Sequence, residues 1–209
     1  MKKIEMFLAT IISAALFGLS YFSILPFSLT VVAGFVTGGI CVWLVVKENI
    51  WNWPVGILNN IFFIVLFLQA RLFADTALQV VYIVLGILGW YWWLKGGKNK
   101  SKLKVANTPK QTMTWLIAIS IISTAVLTYV LIKVNDSAPF LDAVTTVLSL
   151  AAQFLLTKKY IQNWYFWITA DVLYIYLYFS RGLTLTAILY AVFMTMCIVG
   201  LIKWQKSLK

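Results

Sequence analysis

Two stretches decide the fold: KENIWNWPVGILNN at residues 47–60 and KKYIQNWYFWITAD at residues 158–171. Laid over one another at an offset of 111 residues, they match Lys47 with Lys158, Ile50 with Ile161, Asn52-Trp53 with Asn163-Trp164 and Ile57 with Ile168. The register holds further on. Ile64, Leu66, Leu72, Leu78 and Val81 meet Ile175, Leu177, Leu183, Leu189 and Val192, and Ile87, Gly89 and Trp93 meet Ile198, Gly200 and Trp204. That makes 13 identities in 47 positions. An apolar composition alone produces Leu, Ile and Val matches, but not a shared Asn-Trp pair, Gly and Trp. The chain therefore reads as an internal duplication.

What surrounds the repeat fixes its setting. Of 209 residues, 62% are hydrophobic and only 11% are charged, where soluble domains carry about a quarter. A chain of this size has too little interior to hide that much apolar surface, which excludes a soluble enzyme and a disordered tail. There is no His, and the two Cys (Cys41, Cys197) are far apart in apolar surroundings. No metal site or disulfide framework is readable from them. Eight apolar runs, 4–25, 31–46, 51–69, 72–94, 114–132, 139–156, 160–179 and 183–203, cross or nearly cross a bilayer. Breaks fall at Pro26–Thr30, Lys47–Asn49, Ala70-Arg71, Lys95–Lys110, Lys133–Ser137, Thr157–Lys159 and Ser180–Gly182. The runs do not alternate as barrel strands do, so helices are expected.

The expected fold is an all-α polytopic membrane protein with eight transmembrane helices in a 1+3+1+3 order. Residues 1–30 form an extra N-terminal transmembrane helix, read as retained rather than cleaved. Residues 31–94 form the first three-helix repeat, 95–138 a basic loop and linker helix, and 139–209 the second repeat with a basic tail. The offset of four spans is even, so the repeats face the same way, the parallel arrangement of transporters with a site at the repeat interface. With the N-terminus inside, 14 Lys fall on the inner side, and only Arg71, Lys133 and Arg181 fall outside. Both termini are thus expected in the cytoplasm. The net charge of +11 follows from that bias. No aromatic residues interleave Lys95–Lys110, so nucleic acid is not an expected partner.

Five of the six acids lie near span ends, and Asp171 alone sits at mid-span. A charge there is expensive to insert, so it marks a functional site by default, although a structural bond to a neighbouring helix is the competing reading. Its repeat mate is Asn60, beside Asn59. Trp167, Asp171, Tyr174 and Tyr178 fall on one helical face. Rings with a carboxylate suit a flat cation through stacking, cation–π attraction and charge. Gln79 and Tyr82 can add amide and hydroxyl contacts, and Gln153 is a further candidate. For Gln79 and Asn60, helix–helix hydrogen bonding is nearly as good an account. Trp51, Trp53, Trp90–Trp93 and Trp204 read as an interfacial belt, and Pro54 with Gly56 as a kink in span 3.

These residues resemble the PnuC family of bacterial vitamin transporters, relatives of the SWEET sugar facilitators. The first triplet carries the likeness in Asn52–Ile57, Leu72-Phe73-Ala74-Asp75, Leu78-Gln79 and Gly89-Trp90-Tyr91. The second carries it in Asn163-Trp164, in Trp167-x3-Asp171-x2-Tyr174, and in Gly182-Leu183 leading to Leu189-Tyr190. The resemblance implies a 3+1+3 core plus one helix, often a homotrimer in the bacterial inner membrane. It implies facilitated diffusion of an unphosphorylated vitamin, typically nicotinamide riboside, which a cytoplasmic vitamin kinase then traps. Trp167, Tyr174 and Gln79 match the family pattern; Asp171 stands where the nicotinamide riboside carriers have Asn. An acid suits nicotinamide riboside or thiamine, both flat cations. No P-loop is present, no cofactor is implied, and an intramembrane enzyme is disfavoured. A vitamin-binding membrane anchor or sensor is the alternative from another class. Proton coupling through Asp171 is a further hypothesis.

Overall fold

The computed structural model describes residues 3–22, 24, 29–69 and 73–208. The apolar runs become eight helices: α1 (Lys3–Tyr21), α2 (Leu29–Val46), α3 (Asn52–Gln69), α4 (Phe73–Lys95), α5 (Lys110–Lys133), α6 (Pro139–Thr157), α7 (Asn163–Ser180) and α8 (Thr184–Ser207). No strand occurs among the described residues; one isolated bridge joins Ala106 to Tyr160. The breaks expected at Ala70-Arg71 and at Pro26 fall outside the described residues, and Thr30 already lies in α2. Among the described residues, six helices, α2–α6 and α8, are long and apolar enough to cross a membrane. The chain is thus an all-α, multi-pass membrane protein. α7 is not among the six, because its Asn, Asp and many Trp and Tyr side chains lower its hydropathy.

The helices repeat at the offset of the sequence. α3 and α7 are each 18 residues long, and both ends of α7 lie 111 residues beyond those of α3. The turns before them are built alike. Glu48 (φ 53°) and Lys159 (φ 56°) both take the left-handed conformation that ends a helix. In the first turn the Asn49 amide donates to the Leu44 carbonyl, and in the second the Tyr160 amide donates to Leu155, at 2.9 and 3.0 Å. This is the Schellman pattern. Asn52 and Asn163 then donate their Nδ2 to the carbonyls of Asn49 and Tyr160, at 2.7 and 2.6 Å. The shared Asn-Trp pair therefore has a physical role: Asn closes the turn, and Trp53 and Trp164 are buried behind it. Pro54 does not kink α3. It occupies the first turn, where its missing N–H has no intrahelical acceptor to lose, and α3 runs unbroken to Gln69.

The chain divides into two compact units, residues 1–87 and 88–209. In the first, α2 packs on both α1 and α3. A Cβ on Gly34 would overlap the Phe63 ring, so glycine here permits the close approach of α2 and α3. Asn59 of α3 donates to Thr37 of α2 and to the Gly34 carbonyl. In the second unit, α7 packs on both α6 and α8, and α5 lies against α6. Trp204 of α8 sits between Trp93 and Trp164, with ring centroids 5.9 and 5.3 Å away. Trp53, Trp93 and Trp204 are 3%, 4% and 0% exposed. They are core residues, not the interfacial belt expected of them, since their indoles fill space between helix ends. Trp51, Trp90 and Tyr91 are exposed, as a belt requires.

Gly200 shows how tight this packing is. A Cβ there would lie 2.5 Å from the Trp164 ring, itself fully buried. Gly200→Ala is expected to cost about 1–3 kcal/mol through overpacking, read as a lower unfolding temperature in detergent. Gly18→Ala, whose Cβ meets nothing within 4 Å, is the control and should not shift it downward.

The Lys-rich connection after α4 is ordered as a strap. Leu103 donates its amide back to the Trp93 carbonyl at 3.1 Å, closing a small loop whose tip holds Asn99 and Lys100 at positive φ. The strap then runs along the α6–α7 turn. Ala106 accepts from the Ile161 amide at 2.9 Å, and Gln162 accepts from the Thr108 amide and hydroxyl, both at 2.8 Å. Lys159 is buried here, donating to the Leu103 carbonyl at 3.1 Å with its ammonium 4.7 Å from the Trp93 ring centre. Lys158 lies 3.2 Å over Trp92, and its partial burial pushes its pKa below the usual lysine value.

Candidate functional site

Asp171 is the ninth residue of α7, with Asn60 the ninth of α3. Asp171 is 5% exposed, and its hydrogen-bond donor is the Cys197 thiol of α8, 3.6 Å from Oδ2. A thiol is a weak donor, so this acid is held in the second unit with little to stabilise a charge. One turn on, Tyr174 and Tyr178 stack with centroids 6.1 Å apart. Tyr190 of α8 closes the cluster, 4.6 Å from Tyr174 and 5.3 Å from Tyr178. Thr145 and Ser149 of α6 lie close to the Tyr174 hydroxyl, and Tyr178 lies close to Tyr190. A polar, aromatic seam therefore joins α6, α7 and α8.

The same positions in the first unit carry an apolar version of this seam. Offset by 111 residues, Tyr174 and Tyr178 become Phe63 and Phe67, which also stack, at 5.6 Å. Thr145 becomes Gly34, against which the Phe63 ring lies. Ser149 becomes Gly38, and Cys197 becomes Gly86. The second unit thus carries five hydroxyl or thiol groups and a carboxylate that the first unit lacks at the matching positions. That asymmetry is hard to ascribe to helix packing, because the first unit packs without it.

The expected site residues divide accordingly. Asp171, Tyr174 and Tyr178 come together. Trp167 is half-buried on the same helix and makes no ring contact with the tyrosines. Asn60, Gln79 and Tyr82 are half-buried in the first unit, on α3 and α4. Gln153 is half-buried near the end of α6. Tyr190, Cys197, Thr145 and Ser149 were not singled out by reading the sequence for a site. One signal was available: Tyr190 is the repeat mate of Gln79. A separate groove of about 620 Å³ lies between α5 and α6, lined by Ile121, Thr124, Val144, Leu148 and Phe166 among others. Its walls are almost wholly apolar and include none of the expected site residues, which suits a lipid-facing cleft rather than a polar cargo.

Comparison with known proteins agrees with these features. The profile of the family described as "Nicotinamide mononucleotide transporter" matches residues 28–206. The nicotinamide riboside transporter PnuC of Escherichia coli (strain K12) is 26% identical over 201 residues, covering 83% of this chain and 84% of that protein. The riboflavin/roseoflavin transporter RibM of Streptomyces davaonensis is 24% identical over 179 residues, with 82% of each chain covered. A crystal structure of the vitamin B3 transporter PnuC shares the fold, with a TM-score of 0.68 and 24% identity over 95% of this chain and 91% of that one. The match over nearly the whole helical region, joined to the all-α multi-pass fold, establishes that the chain belongs to the PnuC family of membrane transporters, proteins that move a solute and are not enzymes.

Proposed function

We propose that this chain carries nicotinamide riboside across the bacterial inner membrane, with Asp171 and its tyrosine neighbours in the substrate site. The observation that carries the reading is Asp171 itself: a nearly buried carboxyl at mid-helix, with only a thiol on it and three tyrosine rings nearby. Such a group is expensive to keep in a membrane helix, and a flat pyridinium cation satisfies both the carboxylate and the rings. Tyr174 and Tyr178 line the site with Trp167 as a further ring. Asn60, Gln79 and Tyr82 stand as candidate contacts in the first unit. Uptake is downhill and needs trapping, which the family resemblance assigns to a cytoplasmic vitamin kinase. The same resemblance supports a homotrimer, and the lysine bias supports cytoplasmic termini.

Counterflow tests this directly. Proteoliposomes loaded with unlabelled nicotinamide riboside are expected to accumulate the labelled compound transiently. Binding without counterflow would make the protein an anchor or sensor. Counterflow with thiamine or riboflavin but not nicotinamide riboside would keep the carrier and replace its cargo.

A further inference from the structure

We propose that Asp142 is the entry station for the substrate cation, and that Arg181 is the tethered cation the substrate displaces there. The inference rests on the reading that the cargo is a cation arriving from the face opposite most of the lysines, and adds the residue that meets it first.

Asp142 lies in the first turn of α6, and Arg181 caps the C-terminal end of α7. A guanidinium nitrogen of Arg181 is 3.9 Å from Asp142 Oδ2. The lysine bias puts both residues at the outer ends of their helices. Arg181 follows Asp171 by ten residues, about 15 Å along the helix, and the tyrosine cluster lies between. Asp142 is close enough to Tyr174 to act on it through its charge, as Asp171 is to Tyr190. Thr145, nearly one turn along α6 from Asp142, is buried beside Tyr174. The rings are thus flanked by two carboxyls, one within reach of water and one nearly buried.

An acid in the first turn of a helix also offsets the helix dipole, and an ion pair can brace two helix ends. Three features go beyond that. At the 111-residue offset Asp142 and Arg181 become Val31 and Ala70, and α2 has no acid in its first turn. The pair is therefore confined to the unit that carries the polar seam. Its members are 36% and 31% exposed, and pairs with that much water around them hold weakly. Arg181 also donates to the Ser137 hydroxyl at 2.8 Å, so it keeps a partner when an arriving cation takes its place on Asp142. A carboxylate at the mouth gathers cations, and the rings beyond it attract them further by cation–π interaction. Such a station changes how readily the cargo is collected and leaves transport downhill.

The test uses right-side-out membrane vesicles from a host with no carrier of its own, expressing the full chain and preloaded with unlabelled nicotinamide riboside. Labelled nicotinamide riboside then enters by exchange, and its KM is read at the outer face at low and at high salt. Asp142→Asn should raise KM about fivefold at low salt and leave the maximal rate near the wild-type value, and Asp142→Glu should restore KM. Arg181→Gln removes the competing cation and should lower KM about threefold. High salt should bring the wild-type KM up toward that of Asp142→Asn, whose own value should hold still. An unchanged KM in Asp142→Asn, or a loss confined to the maximal rate, would overturn the entry role and leave only a brace between helix ends. A KM raised by Arg181→Gln would do the same. Wild-type vesicles that show no exchange would reject the substrate reading, and the entry role with it.

Discussion

Asp171→Ala should reduce uptake of a cationic substrate by at least about 30-fold, while the protein still expresses, inserts and runs as a single species on size exclusion. Removing one partner of a desolvated charge pair costs about 2–5 kcal/mol of binding, which is the source of the fold-change. The fold itself loses little, because the carboxyl is held by a single weak thiol contact at 3.6 Å. The symmetry mate also argues for tolerance: Asn60 occupies the same helical position in the first unit. Asp171→Asn should therefore fold normally and shift preference between nicotinamide riboside and thiamine. Counterflow by the alanine variant at the wild-type rate would remove Asp171 from the site.

A comparably large effect, on stability instead of transport, is expected from Trp204→Ala. This side chain is fully buried and touches Trp93 on one side and Trp164 on the other. Truncating a buried Trp costs about 3–5 kcal/mol. Here the hole would open next to Gly200, where the backbone already abuts Trp164 and cannot collapse further. Thermal unfolding in detergent should show a marked drop for Trp204→Ala and almost none for Trp115→Ala, whose side chain is exposed on α5. Equal shifts would mean that the tryptophan cluster is not part of the core.

Much of the fold was legible because membrane helices announce themselves by apolar runs, and because breaks fall where Lys, Gly and Pro accumulate. The duplication was legible because Asn52-Trp53 and Asn163-Trp164 perform a geometric task that tolerates few substitutes. Asp171 was legible from cost alone. Other features were not. Trp93 and Trp204 looked interfacial because position along a helix does not say which face is covered. Pro54 looked like a kink because the helix start falls only two residues before it. The strap was masked by its lysines, yet Lys102-Leu103-Lys104-Val105 alternates as an extended segment does, with the lysines exposed and Val105 buried. Cys197 carries no charge and no motif of its own, Tyr190 stood out only through the Leu189-Tyr190 likeness and its repeat mate Gln79, and folding α8 against α7 brings both to the Asp171 cluster.

The closed loop after α4 has a practical use. Its ends are tied together by the Leu103–Trp93 bond, and Gly97 and Ser101 are joined at 2.9 Å beneath an exposed tip of Lys98, Asn99 and Lys100. A cysteine or a small fluorescent graft at Asn99 would extend outward from a base that is already fastened. In sealed vesicles, an impermeant reagent would then reach it from one compartment only, giving the sidedness of the whole molecule from a single engineered position.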